Sequence, residues 1–291
     1  MCRIVGVIMC AMLACAAAWA QSTAQIQGVV RDASGSVVPG AAVKATQTDT
    51  STVRMTSTGP DGAYVLPNLP LGPYRLEVSG QGFSTYIQTG IVLQVASNPT
   101  IDVTLSVGAV SEQVSVEANA ALIETERTGV GQVVETRRIL ELPLNGRNAI
   151  DLIPLSGAAI PTSPGVANIP GSQSISVAGG QTYGVAYVLD GAEFSDQFDG
   201  TSLPFPFPDA LQEFKVESSA LTAQNGEHSG AAVNAVTKSG TNSFHGDAFE
   251  FLRNGAVNAR NFFATTPDTL KRNQYGGTLG GPIKKDKLFF F

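Results

Sequence analysis

The chain's chemistry-bearing side chains are few and poorly placed for catalysis. His228 and His245 are its only imidazoles, seventeen residues apart in glycine-rich surroundings. A zinc site needs three or four ligands at useful spacing, and no third partner stands near either histidine. Strand or surface histidines are therefore expected, and no metal centre. No G-x-S-x-G elbow occurs, and Lys238-Ser239-Gly240 has no S-x-x-K to make its lysine part of an acyl-transfer site. No G-x-x-x-x-G-K-[ST] loop is present to cradle phosphate. The acidic side chains of residues 107–240 could supply an acid–base pair, yet nothing in their spacing draws two together. The expectation is a non-enzyme, with no catalytic residue and no cofactor.

What the sequence offers instead is partner chemistry. Ser111-Glu112-Gln113-Val114-Ser115-Val116-Glu117-Ala118 alternates polar and β-branched residues just after Gly108, a pattern that favours an extended backbone. Such a segment can add itself as a strand to the edge of a partner's sheet. A plain linker strand is the competing reading.

Composition limits the elements that could carry this segment. The 291 residues hold 18 basic and 24 acidic side chains, a net charge of -6, too acidic for a general nucleic-acid binder. Charged residues make up 14% of the chain, well under the roughly 25% of an average soluble domain. With 31 glycines and 16 prolines, the chain reads as two or so strand-dominated domains. Residues 1–20 read as an export signal: Arg3, an apolar run from Ile4 to Ala18, and Ala18-Trp19-Ala20 as the cleavage site. Lipoprotein processing at Cys15 is a poorer fit, because Met12-Leu13-Ala14 does not match its approach. Cys2, Cys10 and Cys15 all lie in this segment, so the exported protein would contain no disulfide. Beyond it, no run of 18 apolar residues offers a membrane helix. Charge is uneven: residues 107–240 carry 6 basic and 15 acidic groups, net -9, and residues 241–291 carry 7 and 4, net +3. Boundaries near 106 and 240 follow.

Residues 21–106 show short alternating runs about every ten residues: 25–31, 42–48, 52–57, 63–66, 74–79, 83–89 and 100–105. Pro39-Gly40 and Asp61-Gly62 are among the turns between them, the pattern of a β-sandwich. Gly28-Val29-Val30-Arg31-Asp32, Val38-Pro39-Gly40-Ala41-Ala42-Val43, Asp61-Gly62-Ala63-Tyr64 and Leu69-Pro70-Leu71-Gly72-Pro73-Tyr74 follow in order. They make the segment resemble a carboxypeptidase regulatory-like domain, similar to transthyretin-like and starch-binding-like sandwiches. That resemblance implies carbohydrate binding, with Tyr86 as the one loose aromatic; a purely structural module is the preferred reading.

Residues 107–118 resemble the TonB box, the periplasmic coupling segment of TonB-dependent receptors, while departing from its tighter acidic-then-valine pattern. The resemblance makes Glu112, Gln113, Val114, Ser115 and Val116 the partner-binding residues. Residues 119–240 read as a mixed α/β domain. Helices are expected at 134–142 and at 209–214, the second capped by Asp209, with strands at 174–178, 185–189 and 231–237. Leu142-Pro143-Leu144-Asn145-Gly146-Arg147-Asn148, Val177-Ala178-Gly179-Gly180, Val188-Leu189-Asp190-Gly191 and the run from Leu211 to Asn242 resemble, in order, the plug of TonB-dependent receptors, especially the Oar-like group. Asn145, Gly146, Arg147, Asp190 and Gly191 are the motif residues this singles out. Arg147 and Asp190 are expected to pair with each other or with the barrel wall, or to be solvated.

Residues 241–291 resemble the first strands of the barrel of that group. Phe244 to Arg253 alternates in a two-residue period, with aromatics expected at the lipid interface. At 9–11 residues per span, so short a segment supplies three or four strands, and with the closing Phe289-Phe290-Phe291 the chain reads as a truncated receptor. The fold expectation is thus mainly β: an Ig/transthyretin-like sandwich, an α/β plug, then the start of a transmembrane β-barrel. The implied function is an outer-membrane receptor that binds an extracellular ligand, carbohydrate or peptide, and imports it through a TonB-type energy-transducing complex. Its other partner would be outer-membrane lipid, and none would be nucleic acid. The alternative is a secreted or surface protein whose sandwich recognises glycan or protein without transport.

Overall fold

The computed structural model describes residues 24–95, 97–108, 113–117, 130–142, 144–163, 172–196, 198, 200–219, 221, 228–260 and 262–291. The expected export signal, its cysteines and Glu112 lie outside the described residues.

The first unit is a two-sheet sandwich. Its strands are β1 (Ala24–Asp32), β2 (Ala42–Gln47), β3 (Val53–Ser57), β4 (Ala63–Leu69), β5 (Gly72–Ser79), β6 (Thr85–Leu93), β7 (Val103–Leu105) and β8 (Gln113–Glu117). One sheet runs β4-β1-β7 and the other β3-β2-β5-β6-β8. Alternation in sequence becomes alternation in burial, because successive side chains leave a strand on opposite faces. Ile26 and Val30 of β1, Tyr74, Leu76 and Val78 of β5, and Ile91 and Leu93 of β6 meet in a single core. Each such large side chain contributes about 1.5–3 kcal/mol by leaving water. Tyr64 and Tyr74 are buried with their hydroxyls donating to the carbonyl oxygens of Ile101 at 2.7 Å and Pro70 at 2.8 Å. Burial pushes both phenols well above their ordinary pKa.

The second unit is built on a five-stranded sheet. Its elements are β9 (Val130–Glu135), α1 (Thr136–Glu141), β10 (Ala159–Ser163), β11 (Ser174–Val177), β12 (Val185–Leu189), β13 (Ala192–Glu193), β14 (Leu211–Ser219) and β15 (Ala231–Thr237). The sheet order is β13-β12-β15-β14-β9, with β12 parallel to β15 and β10-β11 forming a separate pair. Two expectations are corrected here. The helix expected over 134–142 begins only at Thr136, because Val134 belongs to β9 and pairs with Phe214. The helix expected at 209–214 is a single 3-10 turn, Pro208–Ala210, followed directly by β14. Asp209 makes no capping bond there. Leu211, Phe214 and Val216 instead belong to an interior strand of the sheet, where pairing on both edges outweighs local helix preference.

The third unit is a meander of β16 (His245–Asn254), β17 (Lys271–Lys284) and β18 (Leu288–Phe290). β16 and β17 pair over ten consecutive residues, from His245↔Gly280 to Asn254↔Lys271. Among the described residues no helix is long and apolar enough to cross a membrane, which says nothing of strands.

The three units touch. The Val95 amide donates to Glu213 Oε2 of β14 at 2.6 Å, the Asn242 amide donates to the Asp49 carbonyl at 2.9 Å, and Val236 of β15 packs into the sandwich core.

Candidate functional site

Arg147 sits at the junction of the five-stranded unit and the hairpin. It lies on a 3-10 turn, Asn145–Arg147, in which Gly146 and Arg147 both have positive φ, 72° and 58°. Glycine accepts that geometry without a Cβ clash. The turn aims the guanidinium inward, where it is 8% exposed and ion-paired through Nη2 with Asp209 Oδ2. Its carbon stands 4.0 Å from the centre of the Phe251 ring and 5.5 Å from that of Phe249, both on β16. A cation over aromatic faces is attracted by the ring quadrupole, more strongly when water is excluded. From β17, Gln274 Nε2 donates to the Gly146 carbonyl at 2.8 Å.

The loop 203–208 reinforces this contact. Phe205 turns into the core beside Phe194, Tyr187 and Phe214, while Phe207 meets Phe249 with ring centres 5.6 Å apart. Lys238 adds an ion pair to Asp247 at 3.6 Å. Beside Arg147 opens a cavity of about 280 Å³ lined in part by Leu142, Leu144, Arg253, Arg272 and Gln274. Arg253 and Arg272 are directly opposed across β16 and β17.

The contacts also correct the orientation expected for β16. Phe249 and Phe251 face the five-stranded unit rather than a lipid interface. By alternation, Ala248 and Leu252 lie on the other side, with Tyr275 and Leu279 of β17. That outer face is exposed, Leu252 at 67%, Tyr275 at 79% and Leu279 at 60%.

Asp190 does not pair with Arg147. Asp190 and Gly191 are the two residues of the β12–β13 hairpin turn, with φ of 51° and 86°, the signature of a type I′ turn. The Asp190 carboxylate accepts from the Thr237 amide at 2.8 Å and hydroxyl at 2.9 Å, tying the turn to the end of β15. The Val-Leu-Asp-Gly motif is thus explained by the turn itself. The sequence marks Asp209 only as a helix cap and Phe249 and Phe251 only as strand aromatics, and it does not mark Gln274. Asp209 is 62 residues from Arg147 in sequence, and no local spacing could reveal such a pair.

The candidate coupling segment has a definite place. β8 is the last strand of the five-stranded sandwich sheet and lies parallel to β6, with Tyr86↔Val114, Ile87↔Ser115 and Gln88↔Val116 in register. Val114 and Val116 remain 43% and 39% exposed. Tyr86 packs against the sandwich core and donates its hydroxyl to Gln88 Oε1 at 3.0 Å. Among the described residues of the sandwich, no aromatic ring is exposed as a platform for a sugar. His245 Nδ1 lies 3.1 Å from the Ser243 carbonyl, and no group of three metal-ligating side chains is assembled among the described residues.

Residues 25–106 match the carboxypeptidase regulatory-like domain family, and residues 236–291 match an outer membrane beta barrel domain family. The TonB-dependent transporter Oar of Myxococcus xanthus is 27% identical over 303 aligned residues, which cover 99% of this chain and 28% of the transporter. Among solved structures, the siderophore receptor PirA of Acinetobacter baumannii is similar at 18% identity and a TM-score of 0.39, over 54% of this chain and 22% of that one. The dioxygenase domain of a carbohydrate-binding fusion from Streptomyces sp. SirexAA-E aligns at 13% identity and a TM-score of 0.26, over 32% and 84% of the two chains. The chain spans a little over a quarter of the curated relative, 28% of its length. It is an outer-membrane protein homologous along nearly its whole length to the TonB-dependent transporter Oar, with a carboxypeptidase regulatory-like domain ahead of a stretch that matches an outer membrane beta barrel domain.

Proposed function

We propose that this chain serves an outer-membrane receptor that binds an extracellular ligand and imports it by energy-coupled movement of its plug. In this reading residues 21–106 are the periplasmic sandwich, 107–118 the connector, 119–240 the plug and 241–291 the start of the barrel. The observation that carries it is one alignment to a TonB-dependent transporter running through all of these segments. The geometry supports it: β16 meets the plug through Arg147, Phe249 and Phe251, and through Phe207. Contacts made of the Lys238–Asp247 ion pair, the Gln274–Gly146 hydrogen bond and a few rings about Arg147 and Phe207 can be broken and remade as the plug moves. Binding in such a receptor works by shifting populations rather than by bond chemistry, and the curated relative is a transporter, not an enzyme.

Coupling is assigned to Glu112, Gln113, Val114, Ser115 and Val116, which would add as a strand to the periplasmic domain of TonB. A peptide of residues 111–118 should bind that domain by calorimetry, and Val114→Pro, which removes an amide donor from the strand, should abolish binding. No heat from the unsubstituted peptide would remove the coupling role.

A further inference from the structure

The connector that would couple the receptor is already paired as β8. We propose that the sandwich acts as a latch on it, so that docking on β6 and capture by TonB compete for the same strand. The proposal depends on the coupling role just assigned to residues 112–116.

Four observations carry it. β8 aligns with β6 over five successive pairs, from Thr85↔Gln113 to Thr89↔Glu117, so its whole described length is docked. The chain is pinned just ahead of it by the bridge between Val107 and Phe83 and by the Gly108 amide donating to the Gly82 carbonyl at 3.3 Å. Ser115 is exposed, and Val114 and Val116 each keep more than a third of their surface in water, 43% and 39%. Main-chain bonds of a parallel pair therefore hold the strand with little apolar burial, and parallel pairing is slightly the weaker kind. β6, by contrast, is committed: Ile87, Ile91 and Leu93 are 5%, 0% and 0% exposed, and its other edge pairs with β5.

Of the two strands, only β8 can leave without opening the core. Short, peripheral elements with few buried contacts are those that open at low cost. An incoming strand could instead use the outer edge of β8, which has no neighbour among the described strands. In that case docking would not limit capture. The latch predicts the opposite, because a segment that is free only part of the time binds more weakly by that fraction.

The test uses the full chain with Cys2, Cys10 and Cys15 changed to Ser, and a version carrying Thr89→Cys and Glu117→Cys at the last register pair. TonB periplasmic domain is titrated calorimetrically against the 111–118 peptide, the full chain, and the cysteine pair oxidised and reduced. The latch requires the full chain to bind at least about tenfold more weakly than the peptide. It also requires binding to be lost on oxidation and restored by reduction. Equal binding by the oxidised and reduced forms, or failure of the cysteines to join, overturns the latch while leaving coupling intact. A silent peptide removes the coupling role and the latch with it. Amide exchange at Val114, Ser115 and Val116 provides a separate check: rates as fast as in unstructured chain would overturn the docked state itself.

Discussion

Arg147 shows how one side chain can join two elements far apart in sequence. Its charge and that of Asp209 are both buried, with side chains 7% exposed. A buried pair of this kind contributes little net stability, but removing one partner strands the other charge. Arg147→Ala should therefore destabilise the chain by about 3–5 kcal/mol in a denaturant titration. Arg147→Met combined with Asp209→Leu should recover much of that loss. A single-mutant cost below about 0.5 kcal/mol, ordinary for a surface change, would show that the pair is not closed to water. Tyr64 gives a pH signature of the opposite kind. Burial, the main cause, raises its folded pKa, so the unfolded chain releases the proton first. Stability is then intact below about pH 10 and falls as pH rises beyond it. Melting temperatures of the sandwich should decline above about pH 10, and Tyr64→Phe should flatten part of that decline. An identical slope in the variant would reassign the effect to other groups.

At the level of elements, most strands follow from residue alternation, and the exceptions have specific causes. The turn residues of 21–106 and the alternation of β1, β2 and β5 were legible because a half-buried strand shows its period directly. Residues 211–214, expected as the end of a helix, are the start of β14: a strand buried on both faces loses that period, and only pairing with β9 and β15 decides it. Gly28 marks a further constraint of packing. A Cβ built there would lie 2.0 Å from the Ile101 carbonyl oxygen, and the Ile101 amide itself bonds the Gln27 carbonyl at 2.7 Å. Gly28→Ala should force β1 away from residues 100–103 and lower stability by about 1–3 kcal/mol or more. Thermal melts followed by circular dichroism would read this, and an unchanged midpoint would mean that the strand yields freely.

Across the whole molecule, the sandwich core is nearly self-contained, with Val236 its one contribution from the described residues of the second unit. Residues 21–106 alone should therefore fold and melt cooperatively, at a lower temperature than within the full chain, where Glu213 accepts from Val95. A noncooperative melt with a random-coil spectrum would refute this. Local pattern alone was enough for the strand-rich class and the turns of the sandwich, because alternation, glycine and proline act through neighbouring residues. The Asp190–Gly191 turn and its bonds to Thr237 emerged only from the structure. Which face of β16 meets the five-stranded unit, that Arg147 takes Asp209 and not Asp190, and that β8 lies against β6 were decided only in three dimensions. These contacts join residues tens of positions apart, and their energy comes from desolvation and strand pairing, which exist only once the chain has folded.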